Sequence, residues 1–129
     1  MSRPRTNLTS TVIGTPDPSA LARFYAALLG WEVRRDEPDW ATVRSADGGP
    51  GLSFQYEEHH HRPVWPGHGA AEEQQMMMHL DIEVEDLAAA SVYAVGLGAS
   101  VAEFQPQEGV LVHYDPDGHP FCLWVAAEE

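Results

Sequence analysis

His79 and Asp81 stand two residues apart in Met78-His79-Leu80-Asp81-Ile82-Glu83-Val84, a stretch that alternates polar and apolar side chains. Period-two alternation marks a half-buried strand, so Leu80, Ile82 and Val84 face a packed layer while His79, Asp81 and Glu83 face water or a cavity. Same-face neighbours on one strand lie roughly 7 Å apart at the α-carbon, close enough for an imidazole and a carboxylate to meet. Paired in this way, Asp81 orients the ring and His79 can act as a general base near neutral pH. The competing expectation is a hydrogen-bonded histidine that lines a pocket without chemistry.

Other residues invite chemical readings that weigh less. Cys122 is the one cysteine, and a free cysteine is more often a small buried hydrophobe than a nucleophile. A reactive thiol needs an electropositive neighbourhood, for which only His79 and His119 are candidates. His59-His60-His61 with His68 has the composition of a metal-binding tract, though consecutive loop histidines also capture metal adventitiously. Asp115-Pro116-Asp117-Gly118 shares letters with a calcium loop but lacks the rest of the twelve-residue spacing, so it reads as a turn. Trp65, Phe54 and Tyr56 are expected to line an apolar cavity, whereas Trp31, Trp40 and Trp124 are expected in core or interface. No Gly-rich phosphate loop, nucleophile elbow or zinc-protease motif occurs.

The composition narrows the partners. A formal charge of −13, from 20 acidic against 7 basic residues, repels phosphate backbones and anionic bilayers. Neither nucleic acid nor membrane is expected as a partner. No apolar run approaches the roughly 20 residues that span a bilayer. The basic opening Met1-Ser2-Arg3-Pro4-Arg5 has no apolar region behind it, so no secretory signal is expected. A lone cysteine suits a reducing compartment, and a cytoplasmic location is the expectation.

The elements that must position these residues follow in order. Residues 8–15 are rich in β-branched side chains and read as a strand. Asp17 and Pro18 start a helix in which Leu21, Phe24, Tyr25, Leu28 and Leu29 share a face, and Gly30 ends it. Strands are predicted from Trp31, over 39–45 and over 52–56, with a turn at 46–50. Residues 57–75 lose all periodicity and read as a connector. The order then repeats: a strand over 77–84, a helix capped by Asp86 and closed near Gly98, then strands over 99–104, 110–114 and 121–125. Met76-Met77-Met78 is expected to pack at a strand edge. Two βαβββ halves in one chain make an internal repeat.

In that frame the chain resembles the vicinal oxygen chelate superfamily, and more narrowly its small bacterial glyoxalase-like and bleomycin-resistance-like members. The resemblance is carried by Pro16-Asp17-Pro18, Phe24-Tyr25, Leu28-Leu29-Gly30-Trp31, Val64-Trp65-Pro66-Gly67, Met78-His79-Leu80-Asp81, Val84-Glu85-Asp86-Leu87 and the run from Asp115 to Leu123. It implies an α+β fold in which two βαβββ modules form a cupped mixed β-barrel with helices outside. Module one would be 8–56, the connector 57–75 and module two 76–126, within a single domain of residues 1–129. Carried over position by position, the family's metal ligands fall at Ser10, near Ser53 or Gln55, at His79 and at Cys122. Only His79 matches the ligand type, so no metal centre is expected and no cofactor is assigned. A homodimer is implied by the same resemblance.

The reading that follows is a protein that binds a small organic ligand in the cavity between its modules. His79 and Asp81 are the expected catalytic pair, with Ser10, Phe54, Gln55, Trp65 and Cys122 contacting the ligand. Two alternatives stand beside it. One is a divalent-metal-dependent lyase, isomerase or dioxygenase, and the other a non-catalytic protein that sequesters a drug.

Overall fold

The computed structural model of the chain describes residues 3–5, 7–65, 78–105 and 107–126. Its contacts divide it into two units, Met1–Glu58 and His59–Glu129. In the first, β1 (Ser10–Thr15) leads to α1 (Pro18–Leu29), then β2 (Glu32–Glu37), β3 (Trp40–Arg44) and β4 (Gly51–Tyr56). Local chemistry fixes both ends of α1. The Asp17 carboxylate accepts from the Ala20 N–H at 3.1 Å, proline fills the first turn, and Gly30 adopts φ 70° to close the last one. A left-handed closing residue strains any side chain, and glycine has none.

The first sheet has the order β1-β4-β3-β2, with β1 parallel to β4 and the other pairs antiparallel. Leu21, Ala22, Phe24 and Tyr25 of α1 are buried with Ala41, Val43, Leu52 and Phe54 of the sheet. Tyr25 stacks on Phe54 with ring centroids 5.7 Å apart. The expected cavity role of Phe54 is therefore corrected. It is fully buried in the core, because strand parity turns it to the opposite face from Ser53.

The second unit repeats this order: β5 (Leu80–Glu83), α2 (Leu87–Leu97), β6 (Ser100–Val101), β7 (Val110–Tyr114) and β8 (Pro120–Trp124). Its sheet runs β5-β8-β7-β6, with β5 parallel to β8. Asp86 caps α2 by accepting from the Ala89 N–H at 3.0 Å. That helix is apolar nearly all round, so periodicity alone does not mark its inner stripe. Ala94 is buried and Leu87 and Ala90 are half-buried, whereas Val95 is exposed. Among the described residues no helix is long and apolar enough to cross a membrane.

β6 is shorter than the expected 99–104, and Gln105 shows why. Its side-chain amide donates to the Ala102 carbonyl at 2.8 Å and the Val112 carbonyl at 3.1 Å, and its oxygen accepts from the Val112 N–H at 2.8 Å. A side chain thus takes the ladder positions that a continuing strand would occupy. β5 occupies only part of the expected 77–84, of which residue 77 lies outside the described residues, as do Met76 and Pro106.

On the α2 face of this sheet, fully buried His113 stacks on Phe121. Its Nδ1–H donates to the Leu111 carbonyl at 3.1 Å, which leaves Nε2 to accept from the Ser91 hydroxyl at 2.8 Å. Burial lowers the His113 pKa, opposed in part by the bond to Leu111. The unfolded ring takes a proton near pH 6.5, so between the two values the unfolded chain binds more protons and stability falls as pH falls. Stability measured in urea should therefore drop from pH 7.5 toward pH 5 more steeply in wild type than in His113→Gln. Equal slopes in the two proteins would assign no role to this ring.

Candidate functional site

Parallel pairing of β5 with β8 sets Asp81 opposite Cys122 and Glu83 opposite Trp124. Antiparallel pairing of β7 with β8 sets Val112 opposite Cys122. Residues in register on neighbouring strands share a face, with about 4.8 Å between strands. Asp81, Cys122 and Val112 therefore form a row across the sheet, on the face turned away from Phe121, Leu123 and His113.

His79 joins this row from the residue before β5. Its Nε2 lies 3.0 Å from Asp81 Oδ1. A carboxylate can only accept, so the neutral imidazole carries its proton on Nε2 and keeps its basic lone pair on Nδ1. Among the described residues no hydrogen bond reaches that Nδ1. Trp65 stacks on the His79 ring at 4.7 Å between centroids and 21° between planes. The same indole packs with Val110 and Tyr114 against the buried cluster of Ala102, Val112 and Cys122. An aromatic wall, a carboxylate-oriented imidazole and an apolar floor thus meet on one face.

Cys122 is 4% exposed. Burial, and secondarily the charge of Asp81, push its thiol up to about 11, so it is an un-ionised thiol at neutral pH. Burial also raises the Tyr114 phenol. Neither group is an anion beside His79.

The remaining expected residues fall elsewhere. Ser10 and Ser53 share a hydroxyl–hydroxyl hydrogen bond of 2.6 Å on the first sheet. Gln55 is exposed near the end of β4 and Phe54 lies in the core. Of the histidine tract, His60 Nε2 lies 2.8 Å from the Asp117 carbonyl, and its ring is 5.0 Å from that of His119. That contact holds the tract to the turn between β7 and β8. Buried Asp115 organises the same turn by accepting from the N–H groups of Asp117 and His119 and from the His119 ring. His68 lies outside the described residues. Tyr114 was not anticipated as a wall of the site. Its alternation with Val112 on β7 was the available signal.

With this geometry in place, the comparisons with known proteins are informative. The sequence model of the glyoxalase-like domain family matches residues 10–124. A crystal structure of a glyoxalase/bleomycin resistance protein/dioxygenase family enzyme from Burkholderia phytofirmans superposes with a TM-score of 0.71 at 17% identity, covering 95% of this chain and 100% of that one. A glyoxalase-related enzyme from Fulvimarina pelagi gives 0.66 at 20% identity, with 95% and 89% covered. A fosfomycin resistance protein from Mesorhizobium loti gives 0.63 at 15% identity, with 98% and 95% covered. At these identities the likeness shows the fold alone. No curated protein matches the chain significantly.

The metal-ligand positions that the resemblance implies raise the question of a metal here. A catalytic divalent site needs about three protein ligands and an open position. His79, Asp81 and Cys122 offer nitrogen, oxygen and sulfur donors that all lie within 4.8 Å of one another. That donor set suits zinc, provided the thiol gives up its proton on binding. The residues fit the group in number and chemistry, with Asp81 supplying the third donor.

The electrostatics of the row can be tested on the thiol. Alkylation of wild-type Cys122 by iodoacetamide should stay slow between pH 7 and pH 9, because the thiolate is scarce. Asp81→Asn removes the neighbouring charge and should move the rate profile to lower pH. Identical profiles would mean that Asp81 does not face Cys122.

Proposed function

The chain belongs to the glyoxalase-like domain family, and on that premise we propose that it binds a small organic ligand at the face of its second sheet that carries Asp81 and moves a proton there through His79. The observation that carries this reading is the 3.0 Å contact from His79 Nε2 to Asp81. The carboxylate fixes the tautomer, leaves Nδ1 as the base and stabilises the imidazolium once the proton has arrived. Stacking on Trp65 holds the ring plane. Trp65, Val110 and Tyr114 supply apolar and aromatic surface, which favours a ligand with an apolar or aromatic body. Cys122 contributes shape and a neutral thiol rather than a nucleophile.

Proton transfer gives a direct assay. Aryl ketones incubated in D₂O with wild-type protein should exchange hydrogen at the carbon beside the carbonyl, read by NMR. His79→Ala should return exchange to the buffer rate, and Asp81→Asn should slow it by roughly tenfold to a hundredfold, within the range of a positioned acid–base group. Exchange at the wild-type rate in His79→Ala would remove His79 from the chemistry.

The convergence of three donors supports a second reading, a divalent-metal-dependent lyase, isomerase or dioxygenase. His79, Asp81 and Cys122 would hold the ion, which when bound supplies a Lewis acid for an oxygen of the substrate. Metal analysis of tag-free protein separates the readings. Near-stoichiometric metal that persists in a His59/His60/His61→Ala triple variant and is lost in His79→Ala selects the metalloenzyme. Metal absent, or lost with the loop histidines alone, selects the metal-free site.

A further inference from the structure

The chemistry assigned to His79 gives the histidine tract at 59–61 no role, yet the fold carries His60 to His119, far along the chain. Their ring centroids lie 5.0 Å apart with 37° between planes. We propose that His60 and His119 form a clamp for one divalent transition-metal ion of the zinc, nickel or copper class. The pair lies within the second unit and shares no residue with the row of His79, Asp81 and Cys122.

Each ring is held in a tautomer that suits a metal ligand. His60 Nε2 lies 2.8 Å from the Asp117 carbonyl oxygen, which can only accept, so the proton sits on Nε2 and the lone pair on Nδ1. Among the described residues no hydrogen bond reaches His60 Nδ1. His119 Nδ1 lies 3.1 Å and 3.0 Å from the two carboxylate oxygens of buried Asp115. That contact puts its proton on Nδ1 and its lone pair on Nε2. Metal-binding histidines almost always donate their other N–H to a carboxylate, a backbone carbonyl or water, which fixes the ring and raises its basicity. Both rings here have such an acceptor.

The backbone around the clamp is fastened as well. Asp115 also accepts from the N–H groups of Asp117 and His119, so the turn that carries His119 is fixed from within. Arg62 Nη1 donates to the Pro116 carbonyl at 3.1 Å. Its side chain lies over Gly118, where a β-carbon would come 2.7 Å from Arg62 Nε. The glycine therefore lets the segment with His60 close on the turn. His60 is half-buried and the His119 side chain is 20% exposed, so an ion reaches the pair from solvent. Zinc binds imidazole nitrogen at about 2.0–2.1 Å, so rings at this separation can share one ion, with water in the remaining positions. Imidazole ligands favour zinc, nickel and copper, whereas magnesium and calcium take oxygen. A formal charge of −13 draws cations to the surface.

Calorimetric titration of the tag-free full chain with zinc, in a His79→Ala background that removes the other donor row, tests the clamp. One ion per chain should bind at micromolar concentration, and equally well when His59/His61→Ala is added. His60→Gln and His119→Gln, each in that background, should weaken binding at least tenfold. Zinc should raise the melting temperature of the His79→Ala protein and leave that of its His119→Gln derivative unchanged. Long-range proton–nitrogen NMR of the wild-type chain needs no substitution, and zinc should shift His60 Nδ1 and His119 Nε2 together. Adventitious capture by the tract gives the opposite pattern, with full binding in His119→Gln and loss in His59/His61→Ala. That pattern, no binding at millimolar zinc, or shifts confined to His59 and His61 would overturn the proposal. None of the titration outcomes bears on His79 as a base, because the titrated protein lacks it.

Discussion

The second unit depends on one constraint, the parallel pairing of its first strand with its last. A parallel neighbour cannot be reached by a tight hairpin, so the chain must cross over, and α2 with β6 and β7 is that crossover. The same pairing fixes register. Asp81 stands opposite Cys122 only because Leu80 stands opposite Phe121 and Ile82 opposite Leu123, and both apolar pairs face the helix side. A slip of one residue would turn Asp81 into the core and Leu80 toward water. Burial of the apolar face therefore enforces the juxtaposition of the polar one. The first unit obeys the same rule, with β1 parallel to β4 and Val12 opposite Ser53.

Within that frame Asp81 has two opposite effects. It accepts from His79 and so selects the tautomer that leaves Nδ1 free. It also helps burial to suppress ionisation of Cys122. One carboxylate thus supports a base and quiets a thiol. A divalent cation among the three donors would reverse the second effect, because a coordinating thiol is deprotonated outright. Charge balance at this row, more than its shape, separates an acid–base site from a metal site.

Much of the architecture was legible because its signals are local. Asp17, Pro18 and Gly30 bound α1, and Asp86 and Gly98 bound α2, through caps made within a few residues. The alternation around His79 gave its face correctly, and the contact with Asp81 needed only that face. What the chain hides are relations across strands. The approach of Asp81 to Cys122 depends on a register with a strand some forty positions away. Phe54 was misread because Gly51, Leu52, Ser53 and Phe54 are all buried, so composition does not say which side of β4 faces the helix.

The central claim is that Asp81 holds His79 in the Nε2–H form and leaves Nδ1 as the base. Long-range proton–nitrogen NMR correlation of the His79 ring, at a pH where histidine is neutral, reports the tautomer directly. The account predicts an Nε2–H ring in wild type, with that preference weakened in Asp81→Asn. An Nδ1–H ring in wild type, or a tautomer indifferent to Asp81→Asn, would contradict it.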